Sequence, residues 1–288
     1  MKNIIKNIVI IIILVLIFLK RPEVISSIIN GTNLWQTSIL PSIFPIVIIS
    51  DFILSTNLIN VISNLVGPVF SLVFKTSKYS AYVFIMSAFS GCPTNAKYIN
   101  DLYQNKVIDK EEVVKILSMS LLYNPILILT ITSFLDYKDS IYLIVSNILA
   151  NIIIGIINRN YKCNILNKNI NSKDFSLVNS ISNAINVLLL ILGSIITFTA
   201  LNSLLPINHP LASGILEITN GINLINMFNF KYKYKLIFAG ILMGFGGFSI
   251  LTQIKSIFKD TSIDYSLYYK SRIIHILLML GFCYLRFI

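Results

Sequence analysis

Apolar runs of membrane-spanning character alternate with short polar turns along almost the whole chain, and the places where a run is broken carry most of the information. Residues 8–19 form an unbroken apolar run, with Lys2 and Lys6 before it and Lys20-Arg21-Pro22 after it. The pattern is that of a signal peptide, but no small-residue cleavage site follows and further apolar runs come later, so it is read as an uncleaved first span. Residues 34–54 make a second span, opened by Trp35 at an interface position and carrying Pro41 and Pro45, which predict a kink. Asp51, near its far end, is expected to reach the headgroups. Residues 59–74 contain Gly67-Pro68 and read as an interfacial or re-entrant segment, too short and broken for a span. Further spans are predicted at 141–157, 185–205, 236–254 and 273–288, with Asn147 and Asn151 on one inward face. The pattern is that of an all-α, polytopic helical membrane protein with about eight transmembrane helices plus broken or re-entrant segments.

Composition agrees: of 288 residues 55% are hydrophobic and 12% charged, with a mean hydropathy of +0.78. The net charge of +11 sits in short clusters between apolar runs, so it is a topology signal facing the lipid bilayer and no nucleic acid is expected as a partner. Arg159, Lys162, Lys168 and Lys173 fall in one polar linker, residues 158–174, which is expected in the cytoplasm on the same side as residues 98–115. The linker divides a single membrane domain into an N-terminal span (1–22), a first half (34–157) and a second half (175–288) that replays it in outline. Cys92, Cys163 and Cys283 lack disulfide or metal spacing, and His209 and His275 are isolated, so no metal or cofactor is expected. No catalytic triad or phosphate loop appears, and the chain does not read as an enzyme.

The candidate chemistry lies at the interruptions. In Phe89-Ser90-Gly91-Cys92-Pro93-Thr94-Asn95-Ala96-Lys97 an apolar run breaks and restarts as a polar helix, which frees backbone groups that lipid cannot satisfy. Pro93 suits the first turn of the new helix, and Lys97 stands four residues before Asp101, a pairing that would neutralise both. Asp109 reads as a helix N-cap with Glu112 at the third position, and that helix is expected to continue to Asn124-Pro125. There Pro125 removes a backbone donor, and Asn124 serves either the freed carbonyls or a neighbouring helix. Glu217, within Gly214 to Gly221 (GILEITNG), is a carboxylate among apolar residues, and it is expected to be paired or protonated. Lys97 is its first candidate partner, with Asp101 competing. Phe245-Gly246-Gly247-Phe248 is a second glycine break, taken as the counterpart of Phe89-Ser90-Gly91; paired breaks in two halves point to a transporter-type site, or else to close helix packing.

Together these stretches, FSGCP with Ala96-Lys97, the helix leading to Asn124-Pro125, GILEITNG, and FGGFSILTQ from Phe245 to Gln253, resemble the sporulation integral membrane protein family (YlbJ-like), which is grouped with nucleoside-recognition, or Gate-domain, membrane proteins. The resemblance runs from Trp35 to the C-terminus in matching order, with departures at Cys92, Thr94-Asn95 and Leu122-Tyr123. It implies a multi-pass protein of the cell membrane of a sporulating cell, with a role in spore cortex formation. Two functions follow as expectations: a transporter-like protein moving a small polar solute, or a non-transporting scaffold that recruits spore-envelope proteins. The residues expected at a solute site are Gly91, Pro93, Asn95, Lys97, Asn124, Pro125, Glu217, Asn220, Gly246, Gly247 and Gln253.

Overall fold

The computed structural model describes residues 2–166, 168–170, 174–205 and 209–288. Lys173, one of the four linker cations, lies outside the described residues. Every regular element among the described residues is helical, from α1 (Lys2–Leu19) to a terminal helix at Ser266–Leu285. Among the described residues, four helices are long and apolar enough to cross a membrane: Arg21–Ser55, Tyr137–Asn160, Leu177–Leu204 and Tyr232–Ile257.

The first of these joins α2 (Arg21–Leu34) to α3 (Leu40–Ser55) through one wide π-turn at Trp35–Ile39. Pro41 follows at once and cannot donate to the preceding turn, so the wider loop takes up the mismatch. The expected distortion is therefore placed just before Pro41. Next, α4 (Leu58–Phe74) is one continuous helix despite Gly67-Pro68, which corrects the expected break. Both its ends meet the linker, since Asn60 donates to Ile170 O (2.9 Å) and Arg159 donates to Leu72 O (3.4 Å). It thus lies across the linker-side end of the molecule, with Leu65 and Leu72 exposed, as an interfacial segment does.

Two hairpins follow the same plan from opposite ends. In the first half α5 (Ser80–Ser90) turns at Gly91-Cys92-Pro93, where the Cys92–Pro93 peptide is cis, and α6 (Thr94–Gln104) folds back along it with the Tyr82 and Tyr98 rings 6.0 Å apart. In the second half α11 (Pro210–Leu216) turns at Glu217 into α12 (Ile218–Met227). These two helices approach so closely that a side chain on Gly221 would stand 2.5 Å from Gly214 Cα. An interrupted helix follows each hairpin: α7 (Lys110–Ser118) and α8 (Pro125–Ile131), separated by non-helical residues 119–124, and α13 (Tyr232–Phe245) and α14 (Gly247–Ile257), separated by Gly246. Each half then closes with a long helix, α9 (Tyr137–Ile157) or α15 (Ser266–Leu285).

In element order the counterpart of the Gly91 turn is thus the Glu217 turn, and Gly246 corresponds to residues 119–124. Gly91 and Gly246 look alike because both carry positive φ, +80° and +90°, but they stand one element apart in the two series. The helix expected to run unbroken from Asp109 to Asn124-Pro125 ends at Ser118 instead. Antiparallel to the joined helix α2–α3 and packed along it runs α10 (Leu177–Leu204), which forms with it one wall of the molecule. The hairpins and interrupted helices form the other.

Candidate functional site

An interrupted helix leaves backbone groups to be answered by something other than water, and here side chains answer them. Asn151, fully buried on α9, accepts from Leu121 N (3.0 Å) and donates to Leu121 O (2.9 Å), as a neighbouring strand would. Cys92 N donates to Leu122 O (2.7 Å), and Tyr123 OH donates to Met243 O (2.8 Å). Asn124 caps α8 by accepting from Leu127 N (3.1 Å), while its amide donates to Phe89 O (3.0 Å). Of the two roles read for Asn124, the contact with a neighbouring helix is the one seen, to Phe89 O, while the carbonyl of Leu121, four residues before Pro125, is answered by Asn151. Asn95 braces the same segment through Ser120 O (2.8 Å). At the second interruption, a side chain on Gly247 would stand 3.3 Å from Gly214 O, and one on Gly246 would stand 3.4 Å from Tyr123 OH. All four breaks therefore meet in one place.

At this meeting point lies a cavity of about 40 Å³. Cys92, Pro93, Glu217 and Gln253 face it from the broken elements, and Ile39, Ile43, Ile191 and Ile195 from the α3–α10 wall. Its volume leaves room for a few waters at most. Glu217 caps α12, accepting from Asn220 N (3.0 Å) and from the Thr219 hydroxyl, and is 3% exposed. Gln253 is equally buried; it donates to Ser249 Oγ (3.2 Å), and its carbonyl oxygen has no protein partner.

Two larger cavities lie beyond it. One of about 340 Å³, at the linker end, is lined by Asp51, Asp101, Asp174, Asn179 and Asn183. The other, of about 370 Å³ at the opposite end, is lined by Asn30, Thr199, Asn202, Ser213, Asn220 and Asn223. Along α10 the lining passes from Asn183 through Ile191 and Ile195 to Asn202 and Ser203, so the three spaces follow one another. Twenty residues of helix span about 30 Å, the thickness of a bilayer core.

Of the residues expected at a site, Pro93, Glu217 and Gln253 face the central cavity, while Gly91, Asn95, Asn124, Pro125, Gly246 and Gly247 belong to the breaks beside it and do not line it. The Asn220 side chain faces the opposite vestibule instead. Lys97 is not the partner of Glu217. Its ammonium lies between Asp51 and Asp101, in direct contact with Asp51 and 2.7 Å from Asp101, at the linker-side vestibule. The contact with Asp101 is the i,i+4 pairing that the spacing predicts; Asp51, expected among headgroups, is buried and also accepts from Asn183 (3.0 Å). The inward turn of α3 that places Asp51 there has no signal in the local sequence. Arg272, just before the last apolar run, is likewise buried within α15, donating to Ser118 O (2.6 Å) and facing His275 Nδ1 (2.8 Å). His275 in turn meets Asn147, whose inward orientation was expected, at 3.2 Å. A lone Arg at the polar end of an apolar run reads as interfacial, which is why the sequence did not single it out.

No family model matches the chain, and no solved structure matches it. Among curated proteins it is 22% identical, over 297 aligned positions covering 85% of this chain and 73% of the relative, to the sporulation integral membrane protein YlbJ of Bacillus subtilis (strain 168). The chain is thus a multi-pass helical membrane protein similar over most of its length to a sporulation integral membrane protein.

Proposed function

We propose that the chain is a transporter-like protein of the sporulating cell's membrane, moving a small polar solute in support of spore cortex formation. The observation that carries this reading is the line of three cavities along α10, polar at both ends and closed by isoleucines in the middle. Two hairpins entering from opposite ends, with their tips at the constriction, are the arrangement that lets one side open while the other stays shut. With only about 40 Å³ at the centre, this conformation is occluded, and passage requires the hairpins to move against the α3–α10 wall. The linker side is taken as cytoplasmic from its basic charge.

A thermal-shift panel on the purified protein, with nucleosides, amino acids and spore solutes, identifies what is bound, and uptake of the hit into proteoliposomes tests transport. Ile195→Trp fills the constriction. The expected result is that this variant accumulates in the membrane but neither takes up the solute nor supports sporulation. Normal sporulation with the constriction filled would overturn the pathway and leave the scaffold role.

A further inference from the structure

The cluster at the linker-side vestibule contains two carboxylates and one ammonium. Lys97 on α6 lies between Asp51 on α3 and Asp101 one turn along α6, and Asn183 on α10 holds the other oxygen of Asp51. Lys97 is 7% exposed and Asp51 9%, so neither charge is answered by bulk water. A buried ammonium is tolerable only where oxygens surround it, and the carboxylates beside it are tolerable only while a cation stays. The positive charge thus ties α3, α6 and α10 together at one mouth of the cavity line. A simple helix-surface pair would need Asp101 alone. The second carboxylate, delivered from another element, turns the pair into an oxygen-lined pocket of the kind that hard cations occupy. The adjoining vestibule of about 340 Å³ gives a hydrated ion a route to it.

We propose that Asp51 and Asp101 form a monovalent-cation site that the chain fills with its own Lys97 ammonium, a tethered ion holding α3, α6 and α10 together. The site stands on the geometry of the cluster, so it can be tested without reference to any solute.

Lys97→Ala removes the tethered ion and opens a channel the length of its side chain to the two carboxylates. Melting of the purified full-length variant is followed in sodium chloride, methylammonium chloride and N-methylglucamine chloride at equal ionic strength. The expected result is a saturable rise of about 3 °C or more with sodium or methylammonium over N-methylglucamine. The rise should be absent from the native protein and from the Asp51→Asn/Lys97→Ala double variant. Equal response of Lys97→Ala and the native protein to all three salts overturns the proposal. Should Lys97→Ala fail to accumulate while the double variant does, the missing charge is what the cluster lacked, and the proposal is upheld. If both fail, Lys97 acts by packing and the proposal falls.

Discussion

Replacing Asn151 with Leu tests whether side chains hold the interrupted helix open. The substitution keeps the branching of the side chain but sets bulkier methyl groups where the two hydrogen-bonding atoms stood, an overpacking cost that the Asn147→Leu comparison shares. It removes both partners of Leu121, the acceptor at 3.0 Å and the donor at 2.9 Å, in a segment where no water is expected to replace them. Two backbone groups left unanswered at about 1–3 kcal/mol each give about 2–6 kcal/mol. Side-chain hydrogen bonds in membrane proteins average only about 0.6 kcal/mol, because their unfolded reference state also finds partners. Leu121 should lie above that average, since its groups are backbone in a segment with no helical alternative. Asn147→Leu, on the same face of α9, loses a single 3.2 Å contact with His275 and provides the comparison at about 0.6 kcal/mol. Equilibrium unfolding in mixed micelles titrated with dodecyl sulfate measures both. Equal destabilisation by the two variants, or less than about 1 kcal/mol for Asn151→Leu, would refute the argument that Asn151 stands in for the missing helix turn.

Glu112 provides a pH test at the linker-side end, outside the spans: it accepts from Ser77 N (2.5 Å) while burial pushes its carboxyl up to about 7, so the folded protein takes up a proton between the ordinary carboxylate range and pH 7 that the unfolded chain does not. Its contribution is most favourable at low pH and is lost as pH rises through 7, by about 3 kcal/mol, and Glu112→Gln should flatten the melting-temperature profile between pH 5 and 8. Gly91→Ala should be destabilising by more than about 2 kcal/mol, because φ is +80° and the new carbon would stand 2.4 Å from Asn124 N; Gly193→Ala, with nothing within 4 Å, should be neutral or mildly stabilising in the same melts. Glu217→Gln keeps an oxygen to cap Asn220 N, so the variant should accumulate and melt within about 1 kcal/mol of the native protein yet fail to support sporulation; equal sporulation would remove the carboxylate from the mechanism. A cysteine at Asn169, in a chain with Cys163 replaced, should resist a membrane-impermeant thiol reagent in intact cells, and labelling there would reverse the assigned topology.

The helical membrane class and the breaks at Gly91 and Gly246 were legible in the sequence, because glycine weakens a helix and polar groups are costly in lipid, whereas α4 runs unbroken through Gly67-Pro68 and α7 ends at Ser118 with neither glycine nor proline there. Asp109 capping Glu112 N (2.7 Å) and the inward face of Asn147 and Asn151 are local signals of the same kind. The pairing of Lys97 with Asp101 was legible from its i,i+4 spacing, but the second partner of Lys97 could not be read. Lys97 and Asp51 are 46 residues apart in sequence, and only the packing of α3 against the first hairpin brings them together. The matching of Gly91 with Gly246 failed for a related reason. Positive φ marks a glycine turn without saying whether the chain reverses there, as at Gly91, or resumes after a break, as at Gly246. Glu217, the true counterpart of the Gly91 turn, reverses the chain with an extended φ of −145° and needs no glycine at the tip.

The α11–α12 hairpin has a consequence for how the protein is made. Its arms of seven and ten residues reach about 10 to 15 Å, half a bilayer or less, and its tip carries a carboxylate. Such a segment has no stable residence in lipid by itself. Gly214 and Gly221 lie against Leu242 of α13, which follows later in the chain, so although Asn202 of α10 already meets Ser213, the surface on which the two arms close is synthesised after the hairpin. During biogenesis, residues 210–227 must therefore wait at the membrane surface, or within the insertion machinery, until α13 has been threaded. The order of synthesis makes assembly of this half post-insertional, and a chain truncated before α13 would present an intact hairpin sequence without the helix its glycines pack on.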